Sequence, residues 1–194
     1  MQFQGRHVVA LGGHLEDQVV FISLFSVANA AGRLVFGFLS ETYMHRYGTH
    51  RTVFLSAVSM AACAFSLSMC FARLDDLYAM ALMGGLSFGG LWAIIPSLIS
   101  DVFGLVHFAS TYSYSQFSPA FGGLLLGSVL IGVMYDKAHT RHGDGGNYCI
   151  GRDCYGTAWA VLTGFNVVAF IGSRVLGRIC AETYDAMWVG APGR

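Results

Sequence analysis

The stretch LYAMALMGGLSFGGLWAIIPSLIS, residues 77–100, contains no charged side chain. A helix needs about 20 mostly apolar residues to cross the hydrocarbon core of a bilayer, and this stretch is long enough. Four further apolar stretches of similar length occur, at residues 19–39, 52–72, 108–135 and 157–176. Together they predict an all-α integral membrane protein with five transmembrane helices.

The composition of the chain supports this reading against a soluble helical bundle. Only 11% of the residues are charged and 55% are hydrophobic, whereas a soluble domain carries about 25% charged residues. The net charge is zero, so no basic field for nucleic acid is expected. The predicted surroundings are a lipid bilayer. Short polar connections between most of the stretches predict antiparallel neighbouring helices.

Glycine pairs spaced four residues apart occur in two of the predicted spans. They are Gly85-x-x-x-Gly89 and Gly123-x-x-x-Gly127. This spacing puts small residues on one helix face, where two helices can approach closely. We interpret both pairs as packing features rather than as sites.

Cys149 and Cys154 lie in the longest connection, residues 136–156. They could close a small disulfide in an oxidising compartment, which would put this connection on the lumenal or extracellular side. Zinc bound with His139 and His142 is an alternative, but the spacing matches no common zinc finger. A disulfide or free thiols are therefore favoured, and no metal site is predicted. Lysine and arginine are evenly divided between the two sides, so charge gives no topology.

The segment GRLVFGFLSE, residues 32–41, and the segment YGTHR, residues 47–51, carry the most informative polar pattern. An arginine inside a membrane helix is costly, so Arg33 should face the protein interior or a water-filled cavity and have a partner. Glu41 ends the first span and Arg51 begins the second. Their side chains could form a charge-assisted latch across the loop. The alternative is that both are ordinary interfacial charges.

Residues 37–41, GFLSE, followed by Gly48 and Arg51, resemble the loop signature of the major facilitator superfamily. That signature is G-x-L-a-D followed by a glycine and basic residues, and here Glu41 replaces the aspartate. A wider resemblance, over residues 20–176, is to the nodulin-like branch of the superfamily. It includes the segment PSLISDVFGLVHF at residues 96–108, in which Asp101 replaces a glutamate.

The resemblance implies that the five helices are numbers eight to twelve of a twelve-helix carrier, that is, a partial C-terminal six-helix half. Residues 1–18 would be a non-membrane segment after a missing seventh helix, residues 19–178 the transmembrane bundle, and residues 179–194 a polar tail. The partner would be the missing N-terminal half. We expect that the chain is a truncated piece of such a carrier rather than one whose other half is supplied separately.

The resemblance and the polar groups within the spans also imply functional residues. A cytoplasmic gating relay would contain Gly32, Arg33, Gly37, Glu41, Arg51 and Asp101. A substrate path would include Asn29, Trp92, Tyr112 and Gln116, although each could instead serve only in packing. Pro96 and Pro119 each remove a backbone hydrogen bond and are expected to kink a helix.

The function implied is transport of a small organic solute, anionic and monocarboxylate-like, by alternating access, with a proton as the candidate coupling ion. The alternative is a non-transporting half-carrier that acts as a regulatory or assembly subunit. No nucleophile–base pair, phosphate-binding loop or paired acid–base carboxylate is apparent, so we predict neither enzymatic activity nor a cofactor. The sequence leaves the solute and the membrane that holds the protein open.

Overall fold

The computed structural model describes residues 15–72, 76–130, 132–133 and 153–189, with side chains for most of them. The predicted Cys149–Cys154 disulfide lies outside the described residues, as do most of the segment 1–18, most of the connection 136–156 and the end of the tail. Every regular element in the described part is helical. The elements are α1 Leu15–Tyr47, α2 Arg51–Met69, α3 Leu77–Ser115, α4 Phe117–Gly122, a π-helical segment Gly123–Leu130, and α5 Asp153–Val189.

Four helical segments in the described residues are long and apolar enough to cross a membrane. They are Val19–Tyr47, Arg51–Met69, Leu77–Val129 and Gly156–Ala181. Many large hydrophobic side chains on them are exposed; Leu34 and Val168, for example, are 75% and 67% accessible. Such a surface is matched by lipid tails and not by water. The predicted all-helical integral membrane fold, with several passes, is confirmed.

The number of continuous segments is four and not the predicted five, because the third and fourth predicted spans form one run of 53 residues. At about 1.5 Å per residue such a helix would be roughly 80 Å long if straight, far beyond the roughly 30 Å hydrocarbon core. Phe88 and Pro119 would then lie about 46 Å apart. They instead line one cavity of about 400 Å³, so the chain folds back between them.

Gly104 is the point at which the chain folds back. Its dihedral angles, φ 72° and ψ 167°, are the only non-helical ones inside α3. Glycine adopts positive φ without the Cβ clash that other residues meet. Residues 101–107, which separate the third and fourth predicted spans, are therefore helical except for this one residue. The two limbs on either side of Gly104 correspond to the third and fourth predicted spans.

Helices α1 and α2 are joined by a short turn that contains the second positive-φ glycine. Gly48 has φ 63°, and its backbone N–H donates to the carbonyl oxygen of Met44 at 3.1 Å. This is a common way for a helix to end. Because α1 continues to Tyr47, the turn is shorter than the predicted 41–51 loop, and Arg51 is held close to the end of α1.

Close helix contacts are made where glycines remove side-chain bulk. Helix α1 packs mainly on α3, and a Cβ added at Gly89 would lie 2.1 Å from the carbonyl oxygen of Asn29. A Cβ at Gly32 would lie 2.5 Å from the carbonyl oxygen of Leu86. By contrast, none of the described residues has an atom within 4 Å of a Cβ built at Gly123 or Gly127. The two glycine pairs of the sequence therefore have different surroundings.

Helix α2 packs on α5 and on α3, and small polar side chains bond across the α2–α5 contact. Ser173 Oγ donates to Ser56 Oγ at 3.1 Å, and Asn166 Nδ2 donates to Ser66 Oγ at 3.2 Å. Interhelical hydrogen bonds of this kind hold membrane helices together where hydrophobic burial contributes little. Asn166 thus serves helix packing.

The two prolines lie in different backbone settings. Pro96 is inside α3, where Gly104 is the only departure from helical dihedrals. Pro119 is in the six-residue helix α4, between the break that ends α3 and the π-helical segment. Helix irregularity in this part of the chain therefore clusters at Gly104 and around Pro119.

Candidate functional site

Arg51 lies at the centre of a charge cluster that joins three helices. It is the first residue of α2, and its side chain is only 8% exposed. Its Nη2 donates to Oε2 of Glu41, near the end of α1. Its Nε lies 2.7 Å from Oδ2 of Asp101 on α3. One guanidinium therefore bridges two carboxylates from two other helices.

The two ion pairs of Arg51 differ in their exposure. The Asp101 side chain is 16% exposed and the Glu41 side chain is 51% exposed. The contact with Asp101 is an ion pair without a well-directed hydrogen bond, since the Nε–H has no aligned acceptor. Solvent screens the pair with Glu41 much more strongly. The Arg51–Asp101 pair is therefore the interior link of the cluster, and Glu41 is its outer link.

Two histidines flank the cluster, one beside Glu41 and one against Tyr184. His45 Nε2 lies 2.8 Å from Oε1 of Glu41, one helical turn away on α1. The ring of His50 stacks on the ring of Tyr184 at a centroid distance of 4.8 Å and an angle of 16°. The Glu41 carboxylate is therefore shared between Arg51 and His45.

Tyr184 on α5 is the residue of this cluster that sequence reasoning missed. It is fully buried, and its hydroxyl donates to Oδ2 of Asp101 at 3.1 Å. Burial, reinforced by the Asp101 carboxylate, raises the pKa of Tyr184 above its ordinary range, so the hydroxyl stays protonated and can donate. Tyr184 follows the fifth span within the predicted polar tail, where no pattern in the sequence distinguishes it.

The structure brings Glu41, Arg51 and Asp101 together, but it places the other members of the predicted relay elsewhere. Gly32 and Gly37 lie on α1 where it faces α3, near Leu86 and Ala93 respectively. Arg33 Nε donates to Oδ1 of Asn29 at 3.3 Å. Arg33 is separated from Glu41 by about 12 Å along the helix axis, so it takes no part in the charge cluster.

Arg33 also lies over an aromatic ring. Its guanidinium carbon is 5.8 Å from the centroid of Trp92, within the range of a cation–π contact. Trp92 in turn packs edge-on against Phe88 at 6.2 Å. No carboxylate within the described part of the chain pairs with Arg33.

Three of the four predicted substrate-path residues line the 400 Å³ cavity between the two limbs on either side of Gly104. They are Trp92, Tyr112 and Gln116. Asn29 is not among the lining residues and instead bonds Arg33. The lining is mostly apolar, with Ser115 and Ser118 adding hydroxyl groups. A cavity of this size and character suits a small organic molecule.

A second cavity, of about 300 Å³, lies beside the charge cluster. Its lining includes Arg51, Asp101, Ser97 and Ser100. Pro96 lines both cavities, so the two lie next to one another along α3. In the residues that the structure describes, no group of three or more potential ligands could hold a metal ion.

The fold and the site define a multi-pass helical membrane protein with a charge cluster at its helix ends and an adjacent apolar cavity. The chain is 28% identical over 161 residues to the probable transporter MCH1 of Yarrowia lipolytica, covering 79% of this chain and 32% of that protein. It is 27% identical over 151 residues to the probable transporter MCH1 of Candida albicans, covering 78% and 29%. It is 33% identical over 93 residues to the uncharacterized MFS-type transporter YhjX of Escherichia coli, covering 47% and 22%.

These relatives support membership of the major facilitator superfamily at modest identity. The chain spans about a third or less of the length of the curated relatives it matches. No family model matches the chain, and no solved structure matches it.

Proposed function

We propose that this chain forms part of a nodulin-like carrier of the major facilitator superfamily, which moves a small organic anion across a membrane by alternating access. The observation that carries the proposal is the bridge that Arg51 makes between Glu41 and Asp101. Relatives named as probable transporters support it. In this proposal the helices correspond to numbers eight to twelve, and the missing N-terminal half is the partner that completes the solute site.

The charge cluster suits a gate because its links differ in strength and join separate helices. The exposed pair with Glu41 can exchange its partner for water at low cost. The interior pair with Asp101 costs more to separate, because both groups must be rehydrated or paired again. All three helices belong to this chain, so in this proposal the contacts break and re-form as these helices shift against one another while the two halves rock.

Arg33 and Trp92 are the residues that we propose bind the solute. Arg33 lies at the centre of the Val19–Tyr47 segment, about 20 Å along the axis from either end. A guanidinium at that depth requires a partner, and an anionic solute would supply one. Trp92 contacts Arg33 and also lines the cavity. A monocarboxylate could place its carboxylate at Arg33 and its apolar body against Trp92.

The proposal is tested by uptake of radiolabelled monocarboxylates into proteoliposomes. Two preparations are compared: this chain, and the product of the longest transcript that contains it. We expect uptake by the product of the longest transcript. Faster uptake when the outside is acidic would identify a proton as the coupling ion. If no monocarboxylate enters, while the chain co-purifies with a separate carrier subunit and changes that subunit's uptake, the half-carrier alternative is correct instead.

Arg33 is exposed on the described chain and not enclosed by it; in the proposed carrier the N-terminal half covers it. Replacing Arg33 by glutamine is then expected to raise KM for a monocarboxylate by about 30-fold or more, since loss of one partner of a desolvated ion pair costs about 2–5 kcal/mol. Arg33→Lys keeps the charge and should retain part of the affinity. Arg46→Gln is the matched control, because Arg46 lies in the exposed last turn of α1. An unchanged KM in Arg33→Gln would contradict the assignment of this residue to the solute.

A further inference from the structure

Tyr184 occupies a meeting point of four helices. It lies beyond the end of the Gly156–Ala181 segment, yet its side chain is fully buried. It forms a buried group with Leu98 and Cys180, against which Met44, Leu55 and Val102 pack. Side chains from α1, α2 and α3 therefore pack around Cys180 and Tyr184 of α5.

The hydroxyl of Tyr184 shares its acceptor atom with Arg51. Both groups approach Oδ2 of Asp101, the hydroxyl at 3.1 Å and the Arg51 Nε at 2.7 Å. The Nε–H makes no aligned hydrogen bond to any described residue, whereas the Tyr184 hydroxyl donates a hydrogen bond to Oδ2 of Asp101. Among the described side chains, Tyr184 is thus the group that fixes the orientation of the Asp101 carboxylate.

The ring of Tyr184 makes a second link to the same region. It stacks on His50, which lies in the turn immediately before Arg51. One side chain of α5 is therefore attached both to the carboxylate partner of Arg51 and to the turn that places Arg51. Displacing α5 would disturb both contacts, while the solute cavity lies on other residues.

We infer that Tyr184 is a positioning residue of the charge cluster: its hydroxyl orients Asp101 toward Arg51 and so couples the C-terminal end of α5 to the gate. The coupling to gating rests on the proposed function, whereas the coupling of α5 to the cluster does not. The cluster then has four members, and it cannot open without loosening the end of α5.

Cys180 provides a readout of this coupling that needs no transport. It is 4% exposed and packs in the same buried group as Tyr184. In the full chain in lipid nanodiscs, the rate at which a membrane-permeable maleimide modifies Cys180 reports loosening of this end of α5. Cys63 on α2, half-buried, is the internal reference, and mass spectrometry separates the two sites.

Tyr184→Phe is expected to raise the Cys180 modification rate, relative to Cys63, about tenfold, as for loss of a hydrogen bond to a charged group. The substitution removes only one oxygen atom and keeps the ring. Tyr114→Phe is the matched control because Tyr114 is 75% exposed, and it should leave the ratio unchanged. An unchanged ratio in Tyr184→Phe would overturn the inference.

A double-mutant cycle tests whether Tyr184 acts through Asp101. If it does, Tyr184→Phe combined with Asp101→Asn should loosen Cys180 no more than Asp101→Asn alone. Strictly additive effects would mean that the hydroxyl acts elsewhere, and the inference would be wrong.

Uptake by the carrier separates a positioning role from general damage. Tyr184→Phe should change the turnover number while KM stays constant, because Tyr184 lines neither the cavity nor the contact of Arg33 with Trp92. A raised KM with unchanged turnover would contradict it. If the unsubstituted carrier shows no uptake, the proposed function fails, and the labelling cycle still decides whether Tyr184 couples α5 to the cluster.

Discussion

Arg51→Met is expected to lower the free energy of unfolding by about 3–5 kcal/mol, because it leaves a buried carboxylate without its counter-charge. The Asp101 side chain is 16% exposed and, among the described residues, would keep only the Tyr184 hydroxyl as a directed partner. Glu41 is half exposed and can be solvated, so it adds little to the loss. Unfolding of the purified chain by SDS titration in mixed micelles, followed by circular dichroism, measures the difference.

Two further variants separate charge from packing. Arg51→Lys retains a positive charge but lacks the fork that reaches Glu41 and Asp101 together, so it should recover only part of the stability. The double variant Arg51→Met with Asp101→Leu removes both buried charges and should be more stable than Arg51→Met alone. If Arg51→Met and Asp101→Leu instead destabilise additively, the two side chains are not coupled in the folded protein.

Gly89→Ala is expected to separate α1 from α3 and to destabilise the bundle by about 3 kcal/mol, the upper end of the usual cost of overpacking. The added methyl carbon would lie 2.1 Å from the carbonyl oxygen of Asn29 and 3.0 Å from the backbone nitrogen of Arg33. Because both obstacles are backbone atoms, no side-chain rotation can relieve the clash. The same SDS titration measures this loss of stability. Because Arg33 lies on α1 and Trp92 on α3, separating the two helices should also break the contact between these residues.

Other glycines of the chain supply controls for this prediction. At Gly127, from the second glycine pair, and at Gly164, inside α5, an added Cβ would meet no atom of the described residues within 4 Å. Gly127→Ala and Gly164→Ala should be neutral or slightly stabilising, since alanine favours the helix over glycine by about 1 kcal/mol. If Gly89→Ala behaves like these two, the close approach of α1 and α3 is not present in the bilayer.

The contact between Glu41 and Arg51, across the turn between α1 and α2, could be predicted from the sequence. Glu41 near one helix end and Arg51 at the next helix start are few residues apart, so any tight turn brings them within reach. Asp101 joins them only through the relay that the resemblance to the superfamily implies. The structure adds that Arg51 is buried and that the Asp101 pair is the interior one.

The sequence predicts a polar loop between the third and fourth spans. In the structure the chain reverses direction at a single residue, Gly104. Residues 101–107 look like a connection because Asp101 and His107 interrupt the apolar run. A helix tolerates both side chains, whereas only a positive φ at Gly104 turns the chain. Many of the glycines in this chain adopt ordinary helical angles, so the residue type did not single out Gly104 in advance.

Run length and composition alone were enough to predict helices and membrane insertion. The reason is that lipid offers no hydrogen bonds, so each apolar stretch must satisfy its backbone within itself as a helix. Which faces of those helices meet could not be predicted in the same way. Lipid tails are as apolar as leucine side chains, so hydrophobic periodicity does not distinguish a buried face from a lipid-facing one. Three features depend on that lateral packing and became visible only in three dimensions. They are the unequal roles of the two glycine pairs, the contact of Arg33 with Trp92, and the burial of Tyr184 against Asp101.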